Sequence, residues 1–169
     1  MNVVAGVRLQ GLPPVIARHS RLVILGSFPG KASLQAQQYY GHPRNQFWPL
    51  LGAIWRIDLL ALPYEQRLAY LRRRGLGLWD VYAACRREGS LDQAIKDAEF
   101  NDLASLKRRA PTLRRVAHNG SESARAMKQI QALGLPAQRL PSSSPAHASW
   151  SFERKLVAWR SAFDDAGIA

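Results

Sequence analysis

The sequence predicts an α/β protein in which a parallel sheet carries helices on both faces. Short apolar runs rich in β-branched residues alternate along the chain with amphipathic segments, which is typical of parallel sheets. The stretch "GSFPGKASLQAQQYYGHPRN", residues 26–45, follows the first such run and resembles neither a helix nor a strand. Loops of that length in compact domains are usually functional, and ligands of open parallel sheets bind beyond the carboxyl ends of the strands.

The first half of the chain contains two predicted strands and two predicted helices. "RLVIL" (Arg21–Leu25) reads as a buried strand that ends at Gly26. From about Gln46 a helix is expected, with an apolar face made of Phe47, Leu50, Leu51 and Ile54. "PYEQRLAYLRRRG" predicts a helix that stops at Gly75, and "GLGLWDVY" predicts a second strand.

The second half begins with a polar loop, "RREGSLDQAIKDAEFN", and continues the alternation. We expect a helix from Asp102 to Arg109, a strand in "RRVAH" and a helix from near Ser121 to Gly134. "AQRL" is the fourth predicted strand, followed by the loop "PSSSPAHAS" and a terminal helix, "WSFERKLVAWRSAF".

Three unusual segments follow predicted strands: residues 26–45, 118–123 and 141–147. Because parallel strands all end at the same edge of a sheet, these segments are expected to meet there. The sequence therefore predicts a ligand site at the carboxyl edge of the sheet.

Composition narrows the class of protein. The 169 residues are expected to form one domain, 1–169, and 24 Lys and Arg against 12 Asp and Glu give a net charge of +12. This excess favours a polyanionic partner, nucleic acid first, although a merely solvated basic surface is the equal alternative. No membrane association is expected, because no segment combines a long apolar stripe with a clustered basic face. Cys85 is the only cysteine, so no internal disulfide can form, and this fits a cytoplasmic protein. Cys85 itself is expected to be a small, semi-buried apolar residue.

Several catalytic motifs are absent from the sequence. "GSFPGKAS" departs from a nucleotide-triphosphate loop because Leu25 and Ala32 occupy its first Gly and its Ser/Thr positions. There is no dinucleotide fingerprint, and Ser27, Ser33 and Ser121 lie in no G-x-S-x-G elbow. Two interpretations of this segment remain. It is either a turn in which Gly26 and Gly30 let the backbone approach a ligand closely, or only a sharp turn at the end of the strand.

Five segments together carry a family resemblance: "GSFPGKASL", "QYYGHPRNQFW", "GLWDVYAACRREGSL", "HNGSESAR" and "LPSSSPAHASW". In this order they resemble the uracil-DNA glycosylase superfamily, specifically its hypoxanthine-DNA (deoxyinosine) glycosylase branch. The resemblance implies a three-layer α/β/α sandwich around a central, mainly parallel sheet, here of four strands. It also implies monofunctional removal of a deaminated base from DNA without a metal or other cofactor.

The departures from related families affect the expected catalytic residue. Mismatch-specific uracil and thymine glycosylases have a water-positioning Asn where this chain has Phe28. The deoxyinosine branch points instead to Asn45, whose amide oxygen would orient the attacking water; the competing interpretation is a helix N-cap. Family-one uracil glycosylases have a His where this chain has Leu140, and that role is not transferred to the nearby His147.

The other expected site residues divide into two groups. The base pocket is expected to include Gly26, Ser27, Phe28, Tyr40 and Asn119. The alternative for the aromatic residues is packing in the core, and the alternative for Asn119 is a position in the first turn of a helix. DNA contacts are expected from Lys31, Arg44, Ser142, Ser143, Ser144 and His147. Asp80 is the best-placed acid, although a loop cap or a solvated charge is the favoured interpretation.

The expected function is therefore excision of a deaminated base, hypoxanthine first, by base flipping and water attack at the anomeric carbon. The expected partner is DNA that contains such a base, and the protein is expected to be a monomer. A uracil or mixed-specificity glycosylase and a noncatalytic DNA-binding domain remain as alternatives.

Overall fold

A computed structural model describes residues 6–169 of the protein. Its strands are β1 (Arg8–Gln10), β2 (Leu22–Gly26), β3 (Leu76–Asp80), β4 (Tyr82–Arg86), β5 (Lys96–Phe100), β6 (Arg115–Asn119) and β7 (Ala137–Leu140). Its helices are α1 (Lys31–Ala36), α2 (Phe47–Trp55), α3 (Tyr64–Arg74), α4 (Leu106–Arg109), α5 (Ser121–Ala124), α6 (Met127–Ala132) and α7 (Phe152–Ala166). Within the described residues, no helix is long and apolar enough to cross a membrane.

The main sheet is four-stranded and parallel, in the order β3-β2-β6-β7. Every residue of β2 is buried, and its side chains alternate between two apolar clusters. Leu22 and Ile24 pack with α2, α3 and α7, whereas Val23 and Leu25 pack with α4 and α6. Helical layers therefore cover both faces of the sheet, which confirms the expected α/β/α sandwich.

A second, antiparallel sheet of order β1-β4-β5 was not expected. The segment predicted to be a polar loop contains β5, which pairs with β4 around two register shifts. All five residues of β5 are exposed, so the strand shows none of the apolar alternation by which a half-buried strand is recognised. The loop prediction was wrong for this reason.

Two predicted helices are shorter in the structure. In the segment expected to be helical from Asp102, a 3₁₀ turn (Leu103–Ser105) precedes α4, and the Ser105 hydroxyl donates to the Asp102 carbonyl at 2.6 Å. Such a local serine bond competes with regular helical bonding. The segment from Ser121 is divided into α5 and α6 at Ala126, which is buried and has φ −88° and ψ 2°. Gly134 follows α6 with φ 83°, close to the predicted helix end.

Candidate active site

A cavity of about 730 Å³ opens at the carboxyl edge of the main sheet. The three segments that follow β2, β6 and β7 all contribute to its wall, so the predicted convergence is confirmed. Two further parts of the wall are not among the expected site residues: Asp80, at the end of β3, which the sequence marked only as the best-placed acid, and residues 90–93. Arg139 of β7 was also missed.

Gly26 sets the depth of the cavity at the point where β2 ends. It pairs with Asp80 in the register of β2 and β3. A Cβ atom at Gly26 would collide with Asp80 Oδ1 and lie 3.2 Å from the Tyr40 hydroxyl. Only glycine therefore lets the carboxyl group and the phenol approach each other at the cavity floor.

Asp80 is buried rather than solvated, so the favoured interpretation from the sequence was wrong. Its side chain is 4% exposed, and Oδ2 has no hydrogen-bond partner within residues 6–169. Burial raises the pKa of Asp80 to about 7, the charge of Asp92 adds to this effect, and Arg87 opposes it. A proton can therefore reside on this carboxyl group near neutral pH.

Asn45 lies in the cavity wall immediately before α2. Its Oδ1 accepts a hydrogen bond from the Phe47 N–H at 2.9 Å, and its own N–H donates to the His42 carbonyl at 3.0 Å. The Asn45 side chain thus bonds a main-chain N–H at the start of α2, as the helix-cap interpretation expects. This bond also fixes the side chain against a rigid helix. An amide oxygen has two acceptor sites, so the second can still hold a water molecule.

The two neighbouring tyrosines have different surroundings. Tyr39 is 3% exposed, and its hydroxyl donates to the Pro13 carbonyl at 2.7 Å. Tyr40 has φ 55°, a left-handed conformation that is uncommon for a residue with a large side chain. Its ring stacks on Phe47 at a centroid distance of 4.0 Å, and burial raises the pKa of its hydroxyl. Both tyrosines therefore border the cavity, Tyr39 as a member of the apolar core and Tyr40 packed on Phe47 against that core.

Asn119 connects the end of β6 to the serine-rich loop. Its Oδ1 accepts from the Ser143 N–H at 2.9 Å, and its Nδ2 donates to Ser143 Oγ at 2.9 Å and to the Tyr40 hydroxyl at 3.2 Å. In this structure the Asn119 amide therefore stabilises the wall, and its expected contact with a base stays a prediction. Ser143 is buried by the same contacts, whereas Ser142 and Ser144 are partly exposed.

The β2–α1 turn is held by residues 87–92. Arg87 Nη2 donates to the Pro29 carbonyl at 2.6 Å, and its guanidinium group lies 5.3 Å from the centre of the Phe28 ring. Ser27 Oγ donates to Asp92 Oδ1 at 2.6 Å. Phe28 borders the cavity but is only 6% exposed, because its ring also belongs to the apolar cluster around Val23.

A buried lysine joins two other loops of the wall. Lys155 of α7 is 1% exposed, and its Nζ donates to Gln46 Oε1 at 2.9 Å and to the His147 carbonyl at 2.8 Å. Burial lowers the pKa of Lys155. The contacts hold the loop after β7 against the segment that carries Asn45.

The remaining expected DNA contacts lie at or beside the rim of the cavity. Lys31 is exposed at the start of α1, and His147 is partly exposed in the loop after β7. Arg44 is exposed beside Asn45 but does not line the cavity. Positive charge at the rim suits a polyanionic backbone, while the floor holds Asp80.

Comparison with known proteins establishes the family. A family model described as the uracil DNA glycosylase superfamily matches residues 13–165. The chain belongs to the uracil DNA glycosylase superfamily. This membership confirms the resemblance inferred from the five sequence segments.

Within the superfamily, two relatives from Methanosarcina match nearly the whole chain. A hypoxanthine DNA glycosylase of Methanosarcina barkeri is 43% identical over 157 residues, which are 93% of this chain and 99% of the relative. A hypoxanthine DNA glycosylase of Methanosarcina acetivorans is 38% identical over 154 residues, 91% of this chain and 97% of the relative. A solution NMR structure from M. acetivorans, described as a candidate uracil DNA glycosylase, has a TM-score of 0.86 and 37% identity. That match covers 95% of this chain and 99% of the other.

Proposed function

We propose that this protein is a DNA glycosylase that excises hypoxanthine from deoxyinosine in DNA. The observation that carries the proposal is the cavity that brings together Asn45, an amide able to hold water, and Asp80, a buried carboxyl group able to keep a proton. The names of the two Methanosarcina relatives support hypoxanthine as the base. The proposed enzyme is a monomer that uses neither a metal nor another cofactor.

The substrate base must leave the duplex before it can enter this cavity. Enzymes that act on a base within a duplex extrude the nucleotide and hold the base in a pocket. A volume of about 730 Å³ lies in the usual range for small-molecule sites. Lys31, Arg44, Ser142, Ser144 and His147 lie at or beside the rim, where they would contact phosphates on either side of the extruded nucleotide.

The reaction breaks the bond between the sugar C1′ and N9 of hypoxanthine. The bonding electrons leave with the base, and the sugar gains oxocarbenium character. Protonated Asp80 would donate a hydrogen bond to the departing base, and such a donor is most effective where charge develops. Within residues 6–169, the N–H groups of Ser27 and Phe28 have no protein acceptor and would serve the same purpose.

The attacking group is a water molecule held by Asn45 Oδ1. The water oxygen adds to C1′, its spare proton passes to solvent, and the base anion takes up a proton. An amide does not remove the proton itself, so Asn45 acts by orienting the water against a cationic sugar.

The same donors select the base. Hypoxanthine presents a 6-oxo acceptor, whereas adenine presents a 6-amino donor in that place. Main-chain N–H groups can only donate, so a 6-amino group facing those of Ser27 and Phe28 would leave buried donors opposite each other, which costs about 1–3 kcal/mol per unpaired group. Adenine is therefore rejected although it has nearly the same shape.

Incubation with duplexes that contain inosine, uracil, xanthine or adenine at one position, followed by alkali, tests the proposed function. We expect alkali-sensitive sites to form fastest in the inosine duplex, equally with and without a chelator, and none in the adenine duplex. Faster excision of uracil than of hypoxanthine would favour the mixed-specificity alternative. Binding without alkali-sensitive sites in any duplex would show a noncatalytic DNA-binding domain.

Phe28→Leu tests the aromatic wall of the pocket. Loss of stacking on the extruded base is expected to cost about 1 kcal/mol, a fivefold slower single-turnover excision. Leucine keeps much of the buried apolar contact, so the loss of stability stays below the roughly 3–5 kcal/mol expected for Phe28→Ala. Val23→Ala is the control, because Val23 packs in the same cluster without bordering the cavity. Unchanged excision by folded Phe28→Leu would show that the ring only packs in the core.

A further inference from the structure

Six arginines lie at the amino-terminal edge of the main sheet, opposite the cavity. They precede β2, β3 and β6, three neighbouring strands of the sheet. We call this surface the arginine edge, and its members are Arg18, Arg21, Arg72, Arg73, Arg74 and Arg114. None of them borders the cavity.

Main-chain hydrogen bonds hold the three segments of the arginine edge side by side. The Arg21 N–H donates to the Gly75 carbonyl at 2.8 Å, directly after α3. The Arg114 N–H donates to the Arg21 carbonyl at 2.8 Å. His19 Nε2 lies 2.6 Å from the Arg72 carbonyl. These contacts place all six arginines along one edge of the sheet.

The charges of this surface are available to a partner. All six side chains are exposed except that of Arg74, which is partly buried 5.3 Å from the centre of the Trp55 indole. Within residues 6–169 there are four ion pairs, and none includes an arginine of this edge. The nearby acids Asp164 and Asp165 lie in the last turn of α7, where Arg114 bonds the Ala166 carbonyl instead.

Fold stability explains only part of this arrangement. Arg72–Arg74 form the last turn of α3, where cations favour the helix dipole. Arg18 and Arg21 lie in no helix and gain nothing from a dipole of their own segment. A helix dipole therefore does not account for the charges that Arg18 and Arg21 add beside α3.

The surroundings of the arginine edge favour nucleic acid over protein as its partner. Protein interfaces depend on apolar and aromatic anchors, whereas nucleic-acid interfaces are polar and strongly positive. The large exposed apolar side chains in the described part of the chain all lie elsewhere: Val7, Leu60, Leu91, Phe100 and Val157. Arginine also forms bidentate hydrogen bonds with phosphate oxygens.

One straight duplex cannot contact both the arginine edge and the cavity at the carboxyl edge of the sheet. β2 has five residues, so roughly 15 Å of sheet separates the arginine edge from the cavity, and the two surfaces face opposite ways. We propose that the arginine edge is a second, sequence-independent site for double-stranded DNA. It holds a separate segment while the cavity engages another, so that one protein molecule bridges two duplexes. This inference does not depend on which base the cavity accepts.

Native mass spectrometry with undamaged duplexes of about one helical turn tests the second site. The triple variant Arg18→Ala, Arg21→Ala, Arg72→Ala removes three exposed charges. It spares Arg73 and Arg74, which lie over the Tyr70 and Trp55 rings, and the bonded Arg114. The matched control, Lys96→Ala, Lys128→Ala, Arg160→Ala, removes the same charge from exposed positions in β5, α6 and α7. Thermal melting confirms that both variants fold, and Arg72→Glu is a single-residue alternative if the triple variant does not.

We expect the wild type and the control to bind two duplexes, and the triple variant to bind one. Affinity for the second duplex should fall at least tenfold, and the slope of log affinity against log salt for that step should decrease by about 2.7. A wild type that binds one duplex only, or a triple variant that still binds two, would overturn the proposal. So would displacement of the second duplex by polyglutamate at equal charge concentration, because the edge would then be a site for acidic protein. Excision from a short inosine duplex should stay unchanged in the triple variant, which separates this outcome from a failure of the proposed function.

Discussion

Asn45→Ala is expected to slow single-turnover excision of hypoxanthine by a factor on the order of 10²–10⁴. The variant lacks the oxygen that would orient the attacking water, and this interaction develops mainly in the transition state. Binding to the inosine duplex should therefore change little. Rapid-quench kinetics with protein in excess over the inosine duplex measure the rate, and fluorescence anisotropy measures binding.

The contact from Asn45 Oδ1 to the Phe47 N–H requires a control for stability. Losing it is expected to cost about 1 kcal/mol, which thermal melting detects. Asn45→Asp keeps an oxygen for both the Phe47 N–H and the water, so it should retain more activity than Asn45→Ala. A normal rate in Asn45→Ala together with lower stability would assign the residue to the scaffold.

Asp80→Leu is expected to lower the excision rate by about 10²–10³, because it removes a preorganised donor without removing bulk. The wild-type rate should fall about tenfold per pH unit above pH 7, where Asp80 loses its proton. Asp80→Asn keeps a donor that does not titrate, so its rate should vary little between pH 6 and pH 8. A wild-type rate that rises through pH 7 would make Asp80 a base and contradict the donor role.

Stability gives a second, independent measure of Asp80. Its pKa of about 7 in the folded protein exceeds the value of about 3.9 for an unfolded Asp, so the folded state holds its proton to higher pH. Stability should therefore decrease as the pH rises from about 4 to 7 and should not decrease further above that. Asp80→Asn should reduce this dependence in denaturant melts, whether or not the residue acts in catalysis.

The elements that sequence reasoning predicted best are those whose patterns result from burial. β2 is buried along its whole length, and α2 buries Phe47, Leu50, Leu51 and Ile54, the face predicted from their spacing. The end of α3 at Gly75 followed from the conformational freedom of glycine, which has φ 83° there. The exposed strand β5 has no such pattern, and for that reason it was missed.

The site was predicted in outline, but its chemistry depends on contacts between distant parts of the chain. The segments after β2, β6 and β7 meet as expected, because the parallel sheet brings the ends of its strands together. The burial of Asp80 depends on its pairing with Gly26, and the use of the Asn119 amide depends on Ser143. No local pattern reports such pairings, so the sequence identified the residues without their partners.

Direct detection of free hypoxanthine by liquid chromatography and mass spectrometry most directly tests catalysis at this cavity. The wild type and Asn45→Ala are each incubated in excess with an inosine duplex, and the released base is quantified over time. We predict one hypoxanthine per duplex from the wild type, and release by Asn45→Ala that is slower by a factor on the order of 10² or more. No free hypoxanthine from the wild type, or equal rates for the two proteins, would contradict this assignment.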